Sequence, residues 1–426
     1  MRMMKKKLIG IVTFILILLV GSVPAFAANN VKAPTVVKVS QKLTVGHVDT
    51  KVEETVPPDA EGELSFENLE SRMMENYKGL KALSENIAAL DAIDYDKMGQ
   101  DMRDKLNDIA DLQWLNMSLP SQYQDAYTTQ SLQQAYDSLK EAYDDLKDGT
   151  TQKNHTDQKK YLKNMQNQIV MTAETLYIAL QDMSRTNEQL GRQLESLDRT
   201  VQEMELRYTL GQISELTLQQ VKAGRTSLVS GKETLEMNIK NYSMQMQMMV
   251  GVPLSGEIKL HDLPKVTDEQ LAAMDLEKDL IAAKGASYEL LAAKNTLDAA
   301  EDDYEEAKDD YKAGSYEMKS AQHAWQGAQY QYEAAIEKFE GNFRTLFLQV
   351  KDYKQVLEAS KVALALQKSL YEVEKLKYDQ GNLAYNKLLD AQDEVSAAEN
   401  DVVSAEVNLF SAYNNYRWAV EHGLVN

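Results

Sequence analysis

Cysteine is absent from all 426 residues. The chain therefore has no disulfide, no thiolate metal ligand and no cysteine on which a lipoprotein anchor could be built. Histidine is scarce and scattered, at His47, His155, His261, His323 and His422, with no His-Glu-x-x-His pair. Gly-rich phosphate loops are missing as well. The acidic runs Glu301-Asp302-Asp303 and Asp309-Asp310 lack the glycine and spaced Asx pattern of a calcium loop and read as solvated helix faces. With no catalytic constellation, no metal set and no cofactor motif, the reading is that the protein is not an enzyme. Proline is rare too. None lies between Pro120 and Pro253 and none follows Pro264, so long helices meet no interruption. Basic residues are outnumbered, 46 against 66 acidic, giving a net charge of −20. Such a surface repels nucleic acid and anionic lipid headgroups.

What is present begins with a leader. Arg2, Lys5, Lys6 and Lys7 precede an apolar run from Leu8 to Val20, and Ala25-Phe26-Ala27 is a small-x-small cleavage site. The competing reading is an uncleaved anchor, because Leu8 to Ala27 carries no charge. Gly21, Pro24 and the Ala-Phe-Ala end favour a cleaved signal peptide, residues 1–27. Its removal takes away four basic side chains and no acid, moving the charge from −20 to −24. Residues 28–62 form a linker or arm, with a short strand expected within Val36 to Val45. The protein is then exported, to the cell envelope or beyond, and helix packing must hold it together without disulfides.

The rest of the chain says one thing twice. Leu206-Arg207-Tyr208-Thr209-Leu210-Gly211-Gln212-Ile213, then Leu218, returns 170 residues later as Leu376-Lys377-Tyr378-Asp379-Gln380-Gly381-Asn382-Leu383, then Leu388. Thr175-Leu176-Tyr177 pairs with Thr345-Leu346-Phe347 in the same register. The composition favours Ala, Leu, Glu, Lys, Gln and Met, which lose little on entering a helix. Helices are expected over 64–93 with Ser65 as cap, and over 95–118, 129–147, 156–210, 214–250, 268–312, 316–380 and 382–422. The first repeat is 63–253, the connector 254–266 and the second repeat 267–426. Leu388, Ala391, Val395, Ala398, Val402, Ala405, Leu409, Ala412 and Tyr416 alternate steps of three and four, a coiled-coil seam. Ala359, Ala363, Leu366, Leu370 and Val373 repeat that stagger on the preceding helix. Leu357, Leu364, Val403, Val407 and Phe410 lie off this seam and offer a second stripe for assembly between repeats or between chains. The last helix alone would span about 55 Å. The fold class is all-α: two tandem repeats of long coiled-coil helical hairpins, elongated, each turning at a glycine that takes positive φ cheaply.

These residues resemble the TolC family of outer-membrane efflux proteins. The likeness lies in Leu376-Lys377-Tyr378-Asp379-Gln380-Gly381 with Leu388-Leu389-Asp390-Ala391-Gln392 and Ala397-Ala398-Glu399, and in Leu206-Arg207-Tyr208 with Gly211. Met249-Val250-Gly251-Val252-Pro253 is similar to the family's end-of-repeat signature, and Leu64-Ser65-Phe66-Glu67-Asn68-Leu69 with Glu75-Asn76 to its opening helix. The resemblance covers most of residues 63–424. It implies a homotrimer whose hairpins build a hollow helical cylinder, with the tips at Tyr208, Gly211, Ile213, Tyr378, Gly381 and Leu383 meeting a membrane-fusion adaptor of an export pump. Asp390 falls where the family carries an acid facing the pore constriction, and three copies would form a carboxylate ring. The reading of Asp390 as an ordinary exposed helix residue stands equally open.

The chain also departs from the family. Lys387 stands where a second acid is usual, and Thr217 and Leu383 replace polar residues of the tip lock, of which only Tyr378 is kept. Barrel strands, due near residues 95–155 and 310–335, are missing as ten-residue alternating segments. Tyr136, Leu139, Tyr143 and Leu146, and Trp325, Tyr330, Tyr332 and Ile336, fall there at helical spacings. No transmembrane barrel and no direct membrane insertion of the mature chain are expected. Two functions follow. One is a TolC-like exported conduit or sheath of an efflux or secretion system. The other is a structural or adhesive coiled-coil protein of the envelope without transport.

Overall fold

A computed structural model of the chain describes residues 59–60, 62–120, 123–254 and 257–425. The leader and nearly all of the arm, including its expected strand, lie outside the described residues. Every residue described falls in a single compact unit.

The first repeat opens with a short strand β1 (Glu63–Leu64) and helices α1 (Leu69–Asn76) and α2 (Lys78–Asp91). Helices α3 (Tyr95–Ser118) and α4 (Ala126–Lys147) follow, then α5 (Thr150–Thr209) and α6 (Glu215–Val250). A strand β2 (Lys259–Leu260) pairs in parallel with β1, Glu63 opposite Lys259. The second repeat holds α7 (Asp268–Ala272), α8 (Leu276–Ala286), α9 (Tyr288–Asp310), α10 (Tyr316–Asp379) and α11 (Tyr385–His422). With 60 and 64 residues, α5 and α10 each run on the order of 90–100 Å.

Three expectations are corrected here. The helix expected over 64–93 is broken at Tyr77, and that over 268–312 is broken at 273–275 and again at Ser287. Tyr77 (φ −75°, ψ 115°) and Ser287 (φ −72°, ψ 116°) adopt the same extended kink. At the first, a Cβ on Gly79 would meet the Tyr77 ring at 2.7 Å, and at the second the Ser287 hydroxyl caps α9. The glycine closing each repeat sits against the kink. A Cβ on Gly251 would lie 2.6 Å from the Cβ of Asn76, and one on Gly423 would lie 2.3 Å from the Cα of Ser287. A straight helix would close both niches. Finally, Asn68 and not Ser65 occupies the N-cap of α1; Ser65 accepts from the Asn68 N–H one turn earlier (3.4 Å).

Tyr177 and Phe347 are buried at equivalent places in two separate cores, as are Ala173 and Phe343, and Leu180 and Val350. Tyr177 donates its hydroxyl to the carbonyls of Leu64 (2.9 Å) and His261 (2.7 Å), tying the small sheet to α5. Helix α11 joins the cores. Its seam residues Ala405, Leu409, Ala412 and Tyr416 pack into the second core, while Val407, Phe410 and Trp418 pack into the first. Of the second stripe read from the sequence, Val407 and Phe410 are therefore used between the two halves of one chain.

The seam assigned to α10 is the fourth correction. Ala359, Ala363, Leu366, Leu370 and Val373 are exposed. The face of α10 turned inward carries Tyr353, Leu357, Ser360, Leu364, Gln367 and Tyr371, itself spaced by fours and threes. Both stripes have coiled-coil spacing, and only the arrival of α11 decides between them.

Candidate functional site

Helices α5 and α6 form one long hairpin and α10 and α11 the other, and they meet through α5 and α11. Arg192 donates to Asn400 (2.8 Å) and Arg199 pairs with Asp393. Since α5 runs toward Gly211 and α11 runs away from Gly381, these contacts place both turns at one end of the unit.

The two turns have the same geometry. In the first, the Gly211 N–H donates to the Tyr208 carbonyl (2.9 Å) and the Gln212 N–H to Arg207 (2.8 Å). In the second, Gly381 donates to Tyr378 (2.8 Å) and Asn382 to Lys377 (2.8 Å). This is the paired Schellman closure, which needs a left-handed residue at its centre. Gly211 and Gly381 supply it with φ of 69° and 77°. The helices that leave the turns start differently. Ser214 caps α6 by accepting from the Thr217 N–H (3.2 Å), whereas Ala384 heads α11 without a side-chain cap.

Apolar side chains crowd this end without being covered. Leu206, Tyr208, Leu210 and Leu216 are exposed on one tip, and Leu376, Tyr378 and Tyr385 on the other. Ile213 and Leu383 are half-buried at equivalent places. The Tyr378 and Tyr385 rings lie 5.7 Å apart across the second turn. Lys387 and Asp390 are on the exposed face of the first turns of α11, and Lys387 donates to the Asp390 carboxylate at 3.0 Å. Hydrogen bonding to Asp390 holds the Lys387 ammonium above the ordinary lysine range, and Glu203 on α5 adds to the effect. Asp390 thus carries its counter-charge on its own helix.

A buried polar cluster between the hairpins was not foreseen. The Glu174 carboxylate, almost wholly buried, accepts from Asn414 (2.6 Å), Trp418 Nε1 (2.5 Å) and Arg417 (3.1 Å). It pins α5 to α11 and reads as structural, since the Glu174 carboxylate is occupied by these three donors. The sequence offered no signal for it, because a glutamate on an amphipathic helix is ordinary until its neighbour is known. Tyr385 was also missed, although Leu206 and Leu376 stood in the repeated motif.

No family model matches the chain, and no curated protein is significantly similar to it in sequence. Solved structures are similar to it in fold. A membrane protein from Pseudomonas aeruginosa superposes with a TM-score of 0.52 at 12% identity, over 83% of this chain and 90% of that one. The fold is TolC-like. The outer membrane protein VceC from Vibrio cholerae gives a TM-score of 0.46 at 12% identity over 84% and 96% of the two chains. The open-state MtrE outer membrane channel of Neisseria gonorrhoeae gives 0.42 at 12% over 84% and 89%. The TolC-like fold here is all-helical apart from β1 and β2 among the described residues. The stretches due to hold barrel strands are occupied by the hairpins α3–α4 and α9–α10.

Proposed function

We propose that the protein is an exported helical conduit or sheath component of an efflux or secretion system. It assembles as a homotrimer and docks a membrane-fusion adaptor through the Gly211 and Gly381 tips. The observation that carries this reading is the uncovered stripe of α10. Val362, Leu366, Leu370 and Val373 are 70, 59, 49 and 50% exposed along one ridge at coiled-coil spacing. A ridge of this kind on an edge helix of a hairpin pair is what a second copy would cover. The exposed leucines and tyrosines of the tips supply the apolar anchors for an adaptor. The Lys387–Asp390 pair makes any constriction built at this level alternate in charge, so it would select cations less than a bare carboxylate ring.

Light scattering of the wild type and of Leu366→Gln/Leu370→Gln tests the assembly. Both sites are exposed, so each chain should fold equally well by circular dichroism. The wild type should run as a trimer and the variant as a monomer. A wild type that stays monomeric at every concentration, or a variant that remains trimeric, overturns the reading and favours a structural envelope protein.

A further inference from the structure

At the end opposite the glycine tips, the α3–α4 hairpin has a chemistry unlike the rest of the chain. Tyr95 touches His155 (3.0 Å between hydroxyl and Nδ1) and Asp91 pairs with Lys159 (2.6 Å), so α3 continues beyond the start of α5. About a quarter of the chain is charged, yet residues 112–136 contain a single charged side chain, Asp125. The same stretch exposes Leu112, Trp114, Leu115, Met117, Leu119, Tyr123 and Tyr127, with Trp114 at 69% and Tyr127 at 79%. The companion turn between α9 and α10 is flanked instead by Asp309, Asp310, Lys312 and Glu317.

Several polar groups of this tip are satisfied from within. Gln124 Nε2 donates to the carbonyls of Met117 (3.0 Å) and Leu119 (2.8 Å), which end α3 without further helix partners. Asp125 accepts from the N–H groups of Tyr127 (3.3 Å) and Thr128 (3.1 Å) and from the Thr128 hydroxyl (2.7 Å), so its charge sits on the positive end of α4. The helices are cross-linked by neutral pairs, Asn116 to Thr129 (2.8 Å) and Gln113 to Gln133 (3.3 Å). The other long hairpin pairings use ions, as in Arg225–Asp198 and Lys222–Glu205. A surface with Trp and Tyr exposed and its one charge held on a helix end is adapted to the lipid–water boundary.

We infer that the α3–α4 tip is a membrane-interface anchor that inserts shallowly among phospholipid headgroups. Among the described residues no helix is long and apolar enough to cross a bilayer. Insertion is therefore interfacial, and it modifies the sequence expectation of no direct membrane insertion. Trp114 lies four residues from the end of α3, about 6 Å along the axis, within the shallow depth such anchors reach. With Asp125 as its one charge, held on the N-terminus of α4, the tip lets a strongly acidic chain approach an anionic leaflet. A protein partner would be expected to exploit at least one charge for orientation, and none but the capped Asp125 is offered. The inference stands on the tip alone and is independent of the proposed trimer.

The test uses the full chain with phosphatidylcholine vesicles, with and without phosphatidylglycerol, carrying bromine on the upper acyl carbons. The Trp114 contribution is isolated as the difference between wild type and Trp114→Phe. It should shift to the blue and be quenched at least twofold in both vesicle types. Leu115→Glu/Met117→Glu, both exposed positions, should fold normally and lose the Trp114 quenching. Trp114 remaining at its aqueous emission in vesicle-bound protein overturns the inference. Quenching that survives in the double variant overturns it too. A Trp114 shift that follows protein concentration without lipid would assign the tip to contacts between copies and also overturn it.

Discussion

Alanine at Gly423 should be among the most damaging single-methyl additions in the chain. Gly423 ends α11 with φ 64°, its N–H bonded to the Ala419 carbonyl (3.0 Å). A Cβ there would lie 2.3 Å from the Cα and 2.4 Å from the N of Ser287, and 2.8 Å from the carbonyl carbon of Ala286. All three atoms are backbone, and Ser287 is itself fixed as the N-cap of α9, accepting from Leu290 N–H (3.3 Å). No side chain can rotate away, so α11 and the α8–α9 kink must part by about an ångström. Left-handed backbone costs an alanine about 1–2 kcal/mol, and overpacking a tight core contact costs about 1–3 kcal/mol more. The sum is a loss of roughly 2–5 kcal/mol. Two controls bracket it. Gly381 has similar φ but nothing within 4 Å, so Gly381→Ala should lose only about 1–2 kcal/mol. Gly341 lies inside α10 with nothing within 4 Å, so Gly341→Ala should gain about 0.5–1 kcal/mol. Urea unfolding followed by helical circular dichroism, compared at equal m, gives the ranking. If Gly423→Ala unfolds at the same urea concentration as Gly381→Ala, the close approach to Ser287 does not constrain the fold and the argument fails.

Glu174→Ala removes the acceptor of the α5–α11 cluster and leaves Arg417, Asn414 and Trp418 without it. Breaking a buried pair costs about 3–5 kcal/mol. The Arg417 side chain is 39% exposed, which places the loss at the lower end, near 3 kcal/mol by the same measure; a loss below 1 kcal/mol would contradict it. His422 gives a pH dependence. Burial holds its imidazole below the ordinary value of 6.5, and its Nδ1 accepts from Asn167 Nδ2 at 3.1 Å. The unfolded chain then binds the proton first as pH falls, so the histidine's contribution is full above about 6.5 and is lost below it. The thermal midpoint should fall between about pH 7.5 and pH 5.5, and less in His422→Gln. Equal slopes for the two proteins would remove His422 as the cause.

Much of the fold was legible because its determinants are local. Composition and the proline gaps select helix whatever the surroundings, and the bounds of α10 and α11 follow from Ser315 and the turn at Gly381. The repeat offset of 170 residues needs no structure to be seen, and it carried through to Tyr177 and Phe347 in the two cores. The uncharged stretch around Trp114 was equally open to inspection. Its exposure was not, since an apolar run reads the same whether covered or bare.

Tertiary structure decided what depends on a neighbour. Helix α10 has two stripes at coiled-coil spacing, and periodicity gives them equal standing. The rotation at which α11 leaves Gly381 turns Leu357 and Leu364 inward and leaves Leu366 and Leu370 uncovered. The kinks at Tyr77 and Ser287 involve distant partners as well: Gly251 lies against the Asn76 side chain and Gly423 against the Ser287 backbone. The pairing of Lys387 with Asp390 is local, at three residues' separation on one helix. The burial of Glu174 is not, because it waits for Asn414, Arg417 and Trp418 to arrive from some 240 residues away. Short-range spacing fixes helix and turn. Which face is inside is a property of the pair, and only the packed pair contains it.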